Sequence, residues 1–224
     1  MRGIDIKQIR MRSFQISGPT AKWGAGGGRS PIWDNNLVAR WDARRFPDGD
    51  LTEIPNTATM EGKAPDLTVK GATMKIGTLQ FDGVDDLLFT DSFTFPERFT
   101  VFWDVDWLGE EDNGAGIVHT GNLYVLNYAG KGSLSCWIRQ GGSFAPIPNT
   151  SVGINSSGRY YSKSGAAADF TGKIGKGAPA GKLYIGRNSG NTVFTQMGFR
   201  QLLIFNKVLS QAEVNDVLSV MFPA

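Results

Sequence analysis

The sequence predicts an all-β fold of antiparallel strands, arranged as a sandwich or a barrel. The chain of 224 residues holds 29 glycines and 10 prolines, a composition that suits many short strands joined by turns. Short apolar segments separated by turn signals recur from residue 37 to residue 205, and helical periodicity is confined to the C-terminus. Hydrophobic residues make up 41% of the chain, enough for a sizeable core. The length fits one large β domain as well as two small ones.

The first 33 residues differ in charge from the rest of the chain. They hold six basic residues and one acid, which leaves 17 of the 23 basic and 20 of the 21 acidic residues for the body. A glycine-rich stretch at 24–28 is typical of a flexible hinge. We therefore expect an extended basic anchoring arm over 1–33 and a folded domain over 34–224, with a loosely ordered terminus as the alternative. The alternating apolar residues of the arm are Ile4, Ile6, Ile9, Met11, Phe14 and Ile16.

Alternation and turn chemistry give the strands of the body in order. The stretch 141–181 has a weak pattern that indicates long loops, with one candidate strand at 159–162. Turns are expected at 47–50, 82–83, 121–122 and 130–132, and a polar loop at 109–116. The other predicted strands are 37–43, 67–69, 75–81, 87–89, 99–107, 117–119, 123–128, 134–139, 183–187 and 199–205.

The clearest strand, 99–107, alternates over its whole length. Because successive side chains of a strand point to opposite faces, its odd-numbered and even-numbered residues form two separate sets. The odd-numbered set is the more apolar one and is expected to form the core between two sheets. It consists of Phe99, Val101, Trp103, Val105 and Trp107, whereas Thr100, Phe102, Asp104 and Asp106 point the other way.

The C-terminus carries the one segment that reads as a helix. Ser210 and Glu213 have the spacing of a capping box, in which each side chain satisfies a free backbone N–H group of the first turn. Apolar residues then follow at helical spacing and predict a short surface helix that docks on the body. These residues are Val214, Val217, Leu218 and Met221.

Composition excludes several classes of protein and site. Cys136 is the only cysteine, so neither an internal disulfide nor a cysteine-type zinc site can form. No apolar run approaches the length of a membrane span, and a net charge of +2 does not imply nucleic acid as a specific partner. The basic start of the chain lacks an unbroken apolar segment, so we expect no secretory signal there and a protein made in a cytoplasm.

Four segments, in this order, resemble the concanavalin A-like, laminin-G-like jelly-roll domains. They read LQFDGVDDLLF at 79–89, FTVFWDVDW at 99–107, KLYIGRNSGN at 182–191 and FRQLLIFNKVLSQAEVNDVL at 199–218. The resemblance covers roughly residues 36 to 222. It implies two curved antiparallel sheets packed face to face, in a family whose members bind glycans, bind proteins or hydrolyse polysaccharides. Fold alone does not decide among these functions.

We predict one ligand surface on the outer, concave face of the sandwich. Flat aromatic rings beside charged groups suit a sugar, whose C–H face stacks on a ring while its hydroxyls form hydrogen bonds. In the alternative interpretation, loops or another subunit cover these side chains. The candidate binding residues are Phe102, Asp104, Asp106, Tyr124, Tyr128, Trp137 and Arg139, with Val125, Leu134, Cys136 and Ile138 facing inward.

Catalysis is not expected. Asp104 and Asp106 share a face about 6.5–7 Å apart by strand rise, within reach of an inverting pair of carboxylates at about 6.5–9.5 Å. The glucanase relatives of the fold, however, carry Glu-x-Asp-x-(x)-Glu on one strand, and here Glu110 already lies in the predicted loop. His119 is the only histidine, so no catalytic triad and no multi-histidine metal site is visible.

No cofactor is expected, with calcium as an alternative at one turn. Asp82, Asp85 and Asp86 offer carboxylates, but their spacing is not that of a known calcium loop. Turn chemistry at Asp82 and Gly83 explains the pattern without a metal.

A basic arm and a hinge before a lectin-like sandwich suggest a bacteriophage virion protein, associated with capsid or tail and released by lysis. Similar laminin-G-like domains with long N-terminal segments occur among phage structural proteins. The expected partners are other virion proteins through the arm, bacterial surface glycans or neighbouring subunits, and further copies of the chain, since repeated copies convert weak binding into avidity. The alternatives are a bacterial glycan-binding domain and a polysaccharide hydrolase.

Overall fold

The computed structural model describes residues 32–108, 113–120, 123–128, 133–138, 142–175, 181–187 and 193–223. The predicted arm and Arg139 lie outside these residues. Of Trp107, Tyr124 and Tyr128 only the main chain is described.

Two antiparallel sheets form the described domain, as predicted. In the part of the chain given above, sheet A has nine strands and sheet B has eight. Sheet A contains β1 (Leu37–Asp42), β2 (Gly49–Asp50), β5 (Thr73–Lys75), β6 (Thr78–Asp82), β8 (Thr100–Trp107), β13 (Ser151–Asn155), β14 (Arg159–Ser162), β15 (Ala167–Asp169) and β17 (Gln196–Phe205). Sheet B contains β3 (Glu53–Ile54), β4 (Leu67–Lys70), β7 (Leu87–Phe89), β9 (Asn113–His119), β10 (Leu123–Tyr128), β11 (Ser133–Ile138), β12 (Ala145–Pro148) and β16 (Tyr184–Ile185).

The strand order is non-sequential in both sheets. Sheet A runs β15-β14-β13-β8-β17-β6-β5-β2, with β1 paired to β17, and sheet B runs β12-β11-β10-β9-β16-β7-β4-β3. The long strands β8 and β17 lie side by side at the centre of sheet A, where Leu202 pairs with Trp103. Two short helices complete the described residues: α1 (Ile32–Asn35) and α2 (Gln211–Met221). Neither is long and apolar enough to cross a membrane.

The main core lies between the two sheets and uses the predicted face of β8. Phe99, Val101 and Trp103 are buried there, and Val105 packs against the same cluster. From sheet B the inward residues Val125, Leu134, Cys136 and Ile138 are fully buried, as the alternation predicts.

Helix α2 gives sheet A a second core on its outer face. Ser210 and Glu213 form the predicted capping box, and the apolar stripe of α2 is buried. The stripe packs in one cluster with Phe102, Leu203 and Phe205 from the outer face of sheet A. At Phe102, Leu203 and Phe205 the outer face of the two central strands is therefore covered by apolar side chains as well.

Three predicted segments need correction. The predicted single strand 75–81 is a hairpin, because Ile76 and Gly77 both have positive φ (52° and 68°) and form a two-residue turn of the mirror-image type that hairpins favour. The predicted loop 109–116 is also wrong in part, since β9 begins at Asn113. Between 141 and 181 the structure has four strands rather than one, and β13 is buried along its whole length.

Candidate functional site

The residues predicted to form one ligand surface are divided between the two sheets. Phe102, Asp104 and Asp106 belong to β8 in sheet A, whereas Tyr124 and Trp137 belong to β10 and β11 in sheet B. Tyr128 is also on β10. Because the outer faces of a two-sheet sandwich point in opposite directions, the two groups cannot contact one ligand together. The prediction of a single surface that combines them is wrong.

Phe102 does not lie on an open face. Its side chain is 0% exposed, with the Phe205 ring at 6.2 Å in an edge-on arrangement and the Tyr161 ring at 5.9 Å. The prediction that Phe102 contacts a ligand is wrong, because α2 and its stripe cover this part of sheet A. The predicted alternation of the β8 side chains between two faces is correct, but the face turned away from the main core is covered at Phe102 by the second core.

Asp104 and Asp106 share one face, as predicted, and both bind Arg200. The Nη1 group of Arg200 donates to Asp104 Oδ1 at 3.3 Å and to Asp106 Oδ1 at 2.9 Å, and Nη2 donates to Asp106 Oδ2. The Asp104 side chain is only 8% exposed. Burial raises the pKa of Asp104 above its ordinary value, although the cations Arg200, Lys163 and Arg44 act in the opposite direction. A guanidinium bridge thus occupies the carboxylates that would have to act as a catalytic pair.

The outer face of sheet B carries a line of four aromatic residues on strands β11, β9, β16 and β7, which we call the ring row. Its members are Trp137, His119, Tyr184 and Phe89, and all four side chains are half-buried. Strand register puts them in sequence: Trp137 pairs with Tyr124, Tyr124 with His119, His119 with Tyr184, and Tyr184 with Phe89. Each follows or precedes an inward core residue, so the alternation directs the row away from the core. In the described chain no helix lies over this face.

Neighbouring rings in the row pack on one another. The rings of His119 and Tyr184 are stacked, with centroids 5.9 Å apart and an angle of 16° between their planes. The rings of Phe89 and Tyr184 are 6.4 Å apart and tilted by 36°. Such contacts add modestly to the energy gained by burying the rings.

Two cations lie against the ring row. The guanidinium carbon of Arg187 is 3.5 Å from the Tyr184 ring centroid, and Lys182 Nζ is 5.3 Å from that of Phe89. Cation–π contacts of this kind position the charges without neutralising them. Lys182 also pairs with the carboxylate of Asp91 at 3.9 Å, but the Asp91 side chain is 89% exposed and such an ion pair has little strength. The row therefore presents aromatic edges beside positive charge.

The single histidine gives the ring row a measurable pH response. Burial lowers the pKa of His119 to about 4, and the charge of Arg187 acts in the same direction. In the unfolded chain the pKa is about 6.5, so between pH 6.5 and 4 the unfolded state binds more protons. We expect the free energy of unfolding to fall by up to about 3 kcal/mol as the pH falls through this window. Urea unfolding at a series of pH values would measure the fall.

The matched variant for this response is His119→Gln, which keeps a polar side chain of similar reach but does not titrate. Its unfolding free energy should change less between pH 6.5 and 4 than that of the parent protein. An equal change in both proteins would contradict the prediction, because the carboxyl groups they share would then account for it.

The acidic turn between β6 and β7 brings three carboxylates together. Oxygens of Asp82, Asp85 and Asp86 lie within 4.8 Å of one another. The backbone N–H groups of the turn use two of these side chains: Val84 N donates to Asp82 Oδ1 at 2.7 Å, and Asp82 N donates to Asp86 Oδ2 at 2.8 Å. Lys70 pairs with Asp85 at 3.3 Å. These contacts, with Gly83 at φ 82°, account for the carboxylate positions by turn chemistry.

Of the four ring-row residues, sequence reasoning selected only Trp137 as a binding residue; His119 was considered only as a catalytic or metal-binding residue. Tyr184 and Phe89 were recognised as strand residues, but nothing local shows that β16 inserts between β7 and β9. Arg187 and Lys182 were likewise not selected. The available signal was the alternation of Leu183, Tyr184 and Ile185, which directs Tyr184 outward between two core residues.

The sequence matches no protein-family profile and no curated protein. Solved structures share the fold. The Trypanosoma rangeli sialidase matches with a TM-score of 0.61 at 14% identity, over 83% of this chain and 33% of that chain. The botulinum neurotoxin serotype D binding domain matches with a TM-score of 0.59 at 12% identity, over 85% of this chain and 53% of that chain.

This chain therefore spans about a third of the sialidase and about half of the toxin domain. A mutant of the sialidase that displays trans-sialidase activity matches similarly, with a TM-score of 0.62 at 15% identity, over 88% of this chain and 34% of that chain. At these identities the likeness concerns the fold, and it agrees with the predicted all-β sandwich.

Proposed function

We propose that this protein is a non-enzymatic glycan-binding β-sandwich whose binding surface is the ring row on sheet B. The observation that carries the proposal is the row itself: four half-buried aromatic side chains on β11, β9, β16 and β7, over which no helix of the described chain lies. Aromatic rings with a polar rim are the usual components of sugar-binding surfaces because sugars present both C–H faces and hydroxyl groups.

The ligand we propose carries an acidic sugar. Arg187 and Lys182 lie against ring faces, and among the described residues the ion pair formed by their side chains is the loose one between Lys182 and the exposed Asp91, so both charges can receive an anion. A guanidinium can bind a carboxylate through two parallel hydrogen bonds. The sialidase that shares the fold has been solved in complex with sialic acid, which supports this choice by analogy only.

A polymer carrying many sialyllactose groups is the appropriate probe, with the same polymer carrying lactose as the uncharged comparison. Multivalent presentation compensates for weak single-site affinity. We expect the sialyllactose polymer to bind more tightly, and Arg187→Met to weaken that binding about tenfold, because a charge-assisted hydrogen bond is lost. Surface plasmon resonance would measure both.

Arg159→Met is the matched control, because Arg159 is a half-exposed arginine on sheet A, paired only loosely with Asp169 at 3.8 Å. It should bind like the parent protein. Equal binding of the two polymers would refute the acidic ligand, and absence of binding to either would refute a glycan surface of this class.

The rival function is hydrolysis of a polysaccharide. It would be established by release of reducing sugar from a glycan substrate that Asp104→Asn abolishes, and that result would replace the proposal. The Arg200 bridge argues against it, because the guanidinium contacts both Asp104 and Asp106, where an inverting pair of carboxylates needs room for a water molecule between them.

We propose further that the domain is displayed in many copies on a bacteriophage virion, attached through residues 1–33. The support is the charge and pattern of this segment: six basic residues, one acid, alternating apolar residues and a glycine-rich hinge. Such a segment is suited to add a strand to a neighbouring sheet.

Deletion of residues 1–28 tests the attachment. We expect a folded protein with unchanged glycan binding that no longer joins the particle, as measured by co-sedimentation with virions. Retained assembly of the shortened protein would refute an anchoring role for the arm, and it would leave the glycan proposal to its own experiment.

A further inference from the structure

A cleft with both polar and apolar side chains in its lining opens on sheet A, on the side of the sandwich opposite the ring row. Its volume is about 480 Å³, within the usual range of small-molecule sites. One wall comes from β8, and the other from the start of β13 with the turn before it and from the end of β14 with the turn after it. The polar side chains of the lining are Asp104, Asn149, Thr150, Ser151, Ser162, Lys163 and Ser164.

The cleft exists because two neighbouring strands separate. β8 and β13 pair from Asn155–Thr100 to Gly153–Phe102, and the described ladder ends there. On its other side β8 stays paired with β17 as far as Trp107. Beyond Phe102 the edge of β8 therefore faces the cleft instead of a strand. The Ser151 carbonyl, which would continue the ladder, accepts a hydrogen bond from the indole N–H of Trp103 at 3.0 Å.

Asp104 forms the floor of the cleft. It is 6% exposed, and in the described chain its hydrogen bonding comes from Arg200 alone, through a single long contact of 3.3 Å to Oδ1. A buried carboxylate with two oxygens accepts more hydrogen bonds than this. The Asp104 carboxylate can therefore accept further hydrogen bonds from a ligand in the cleft.

Lys163 stands at the rim as the complementary donor. Its ammonium group lies 4.8 Å from the Phe222 ring centroid, at the C-terminal end of α2, and its charge reaches Asp104. Hydroxyl and amide groups from the two walls add donors and acceptors of both kinds. Among the described lining residues the aromatic one is Trp103, whose side chain is 2% exposed and belongs to the main core.

We propose that this cleft binds a single uncharged sugar residue or a similar polyol, as a site separate from the ring row. The cleft offers hydrogen-bond donors and acceptors, among them the Asp104 carboxylate and the Lys163 ammonium group. The hydroxyl groups of a sugar ring can both donate to and accept from such groups. No described residue of the lining offers an exposed ring, which favours recognition by hydrogen bonds rather than by stacking. The carboxylate floor disfavours an acidic sugar, so the two faces of the sandwich would take different ligands.

The probes are methyl glucoside, methyl galactoside, methyl mannoside and N-acetylglucosamine, each titrated into the full chain. Amide resonances of residues 150–152 and 162–164 report on the two walls. We expect at least one probe to shift both groups of resonances, and Lys163→Met and Asp104→Asn to weaken its binding about tenfold, the effect of losing one hydrogen bond to a charged group.

Lys163 and Thr150 are exposed, so Lys163→Met and Thr150→Val keep the test valid if Asp104→Asn fails to fold. Lys173→Met, at an exposed lysine outside the cleft, is the matched control and should bind normally. Absence of shifts with all four probes would overturn the proposal, as would shifts that neither Lys163→Met nor Thr150→Val reduces. Arg187→Met should leave this binding unchanged, which separates the cleft from the ring row.

Discussion

Replacing Phe102 by alanine is expected to lower the free energy of unfolding by about 3–5 kcal/mol. The ring is fully buried in the second core, between Phe205 and Tyr161 and beneath the stripe of α2. Truncation removes the transfer energy of the ring and leaves a cavity that the paired strands of sheet A cannot close. Urea unfolding followed by tryptophan fluorescence would measure the loss, with an unchanged denaturant slope marking an intact fold.

Phe144→Ala is the matched control for this prediction. Phe144 is 51% exposed, and its truncation should change the free energy of unfolding by only about 0.5 kcal/mol. A similarly small loss from Phe102→Ala would mean that α2 does not seal the outer face of sheet A. In that case the original prediction of Phe102 as a ligand residue would regain its physical basis.

Sequence reasoning succeeded where the pattern is local. The odd-numbered face of β8 was identified because five apolar residues alternate without interruption, and the alternation of a strand depends only on its own backbone. The capping box of α2 and its apolar stripe are likewise determined by residues that are close together in the sequence, from Ser210 to Met221. These features needed no knowledge of neighbouring strands.

It failed where long-range packing decides the outcome. The even-numbered face of β8 mixes Phe102 with two carboxylates, a pattern that suits an open face, but the docking of α2 more than a hundred residues later buries the ring. The sequence did not predict β13 as a strand, because Ser151, Gly153 and Asn155 are small or polar, although all three are buried. Residue type alone does not reveal burial when contacts come from distant strands.

The division of the predicted site has a consequence for function. A sandwich with α2 on sheet A leaves sheet B as the face without a helix in the described chain, and the ring row lies there. The remaining opening on sheet A is the cleft beside β8, which retains Asp104 from the predicted residues. Aromatic and carboxylate groups, expected to act together on one ligand, are thus separated into a ring surface and a polar cleft.

The buried glycine of β13 gives the second large effect. Gly153→Ala is expected to lower the free energy of unfolding by about 1–3 kcal/mol, the usual cost of overpacking. A Cβ atom at this position would lie 2.5 Å from Cδ1 of Phe102 and 2.8 Å from the carbonyl oxygen of Val101. The carbonyl belongs to the paired backbone of β8 and cannot rotate away, so the strands must separate further where the cleft begins.

Gly181→Ala is the matched control, since no atom lies within 4 Å of a Cβ atom built there. That variant should unfold like the parent protein, and a neutral Gly153→Ala would show that β13 does not pack against β8 as described.

The effects of Phe102→Ala and Gly153→Ala are expected to be coupled. In a Phe102→Ala background the ring contact is gone and only the carbonyl contact remains, so Gly153→Ala should cost less there, by at least about 0.5 kcal/mol. Strictly additive losses would mean that the ring and the glycine do not touch.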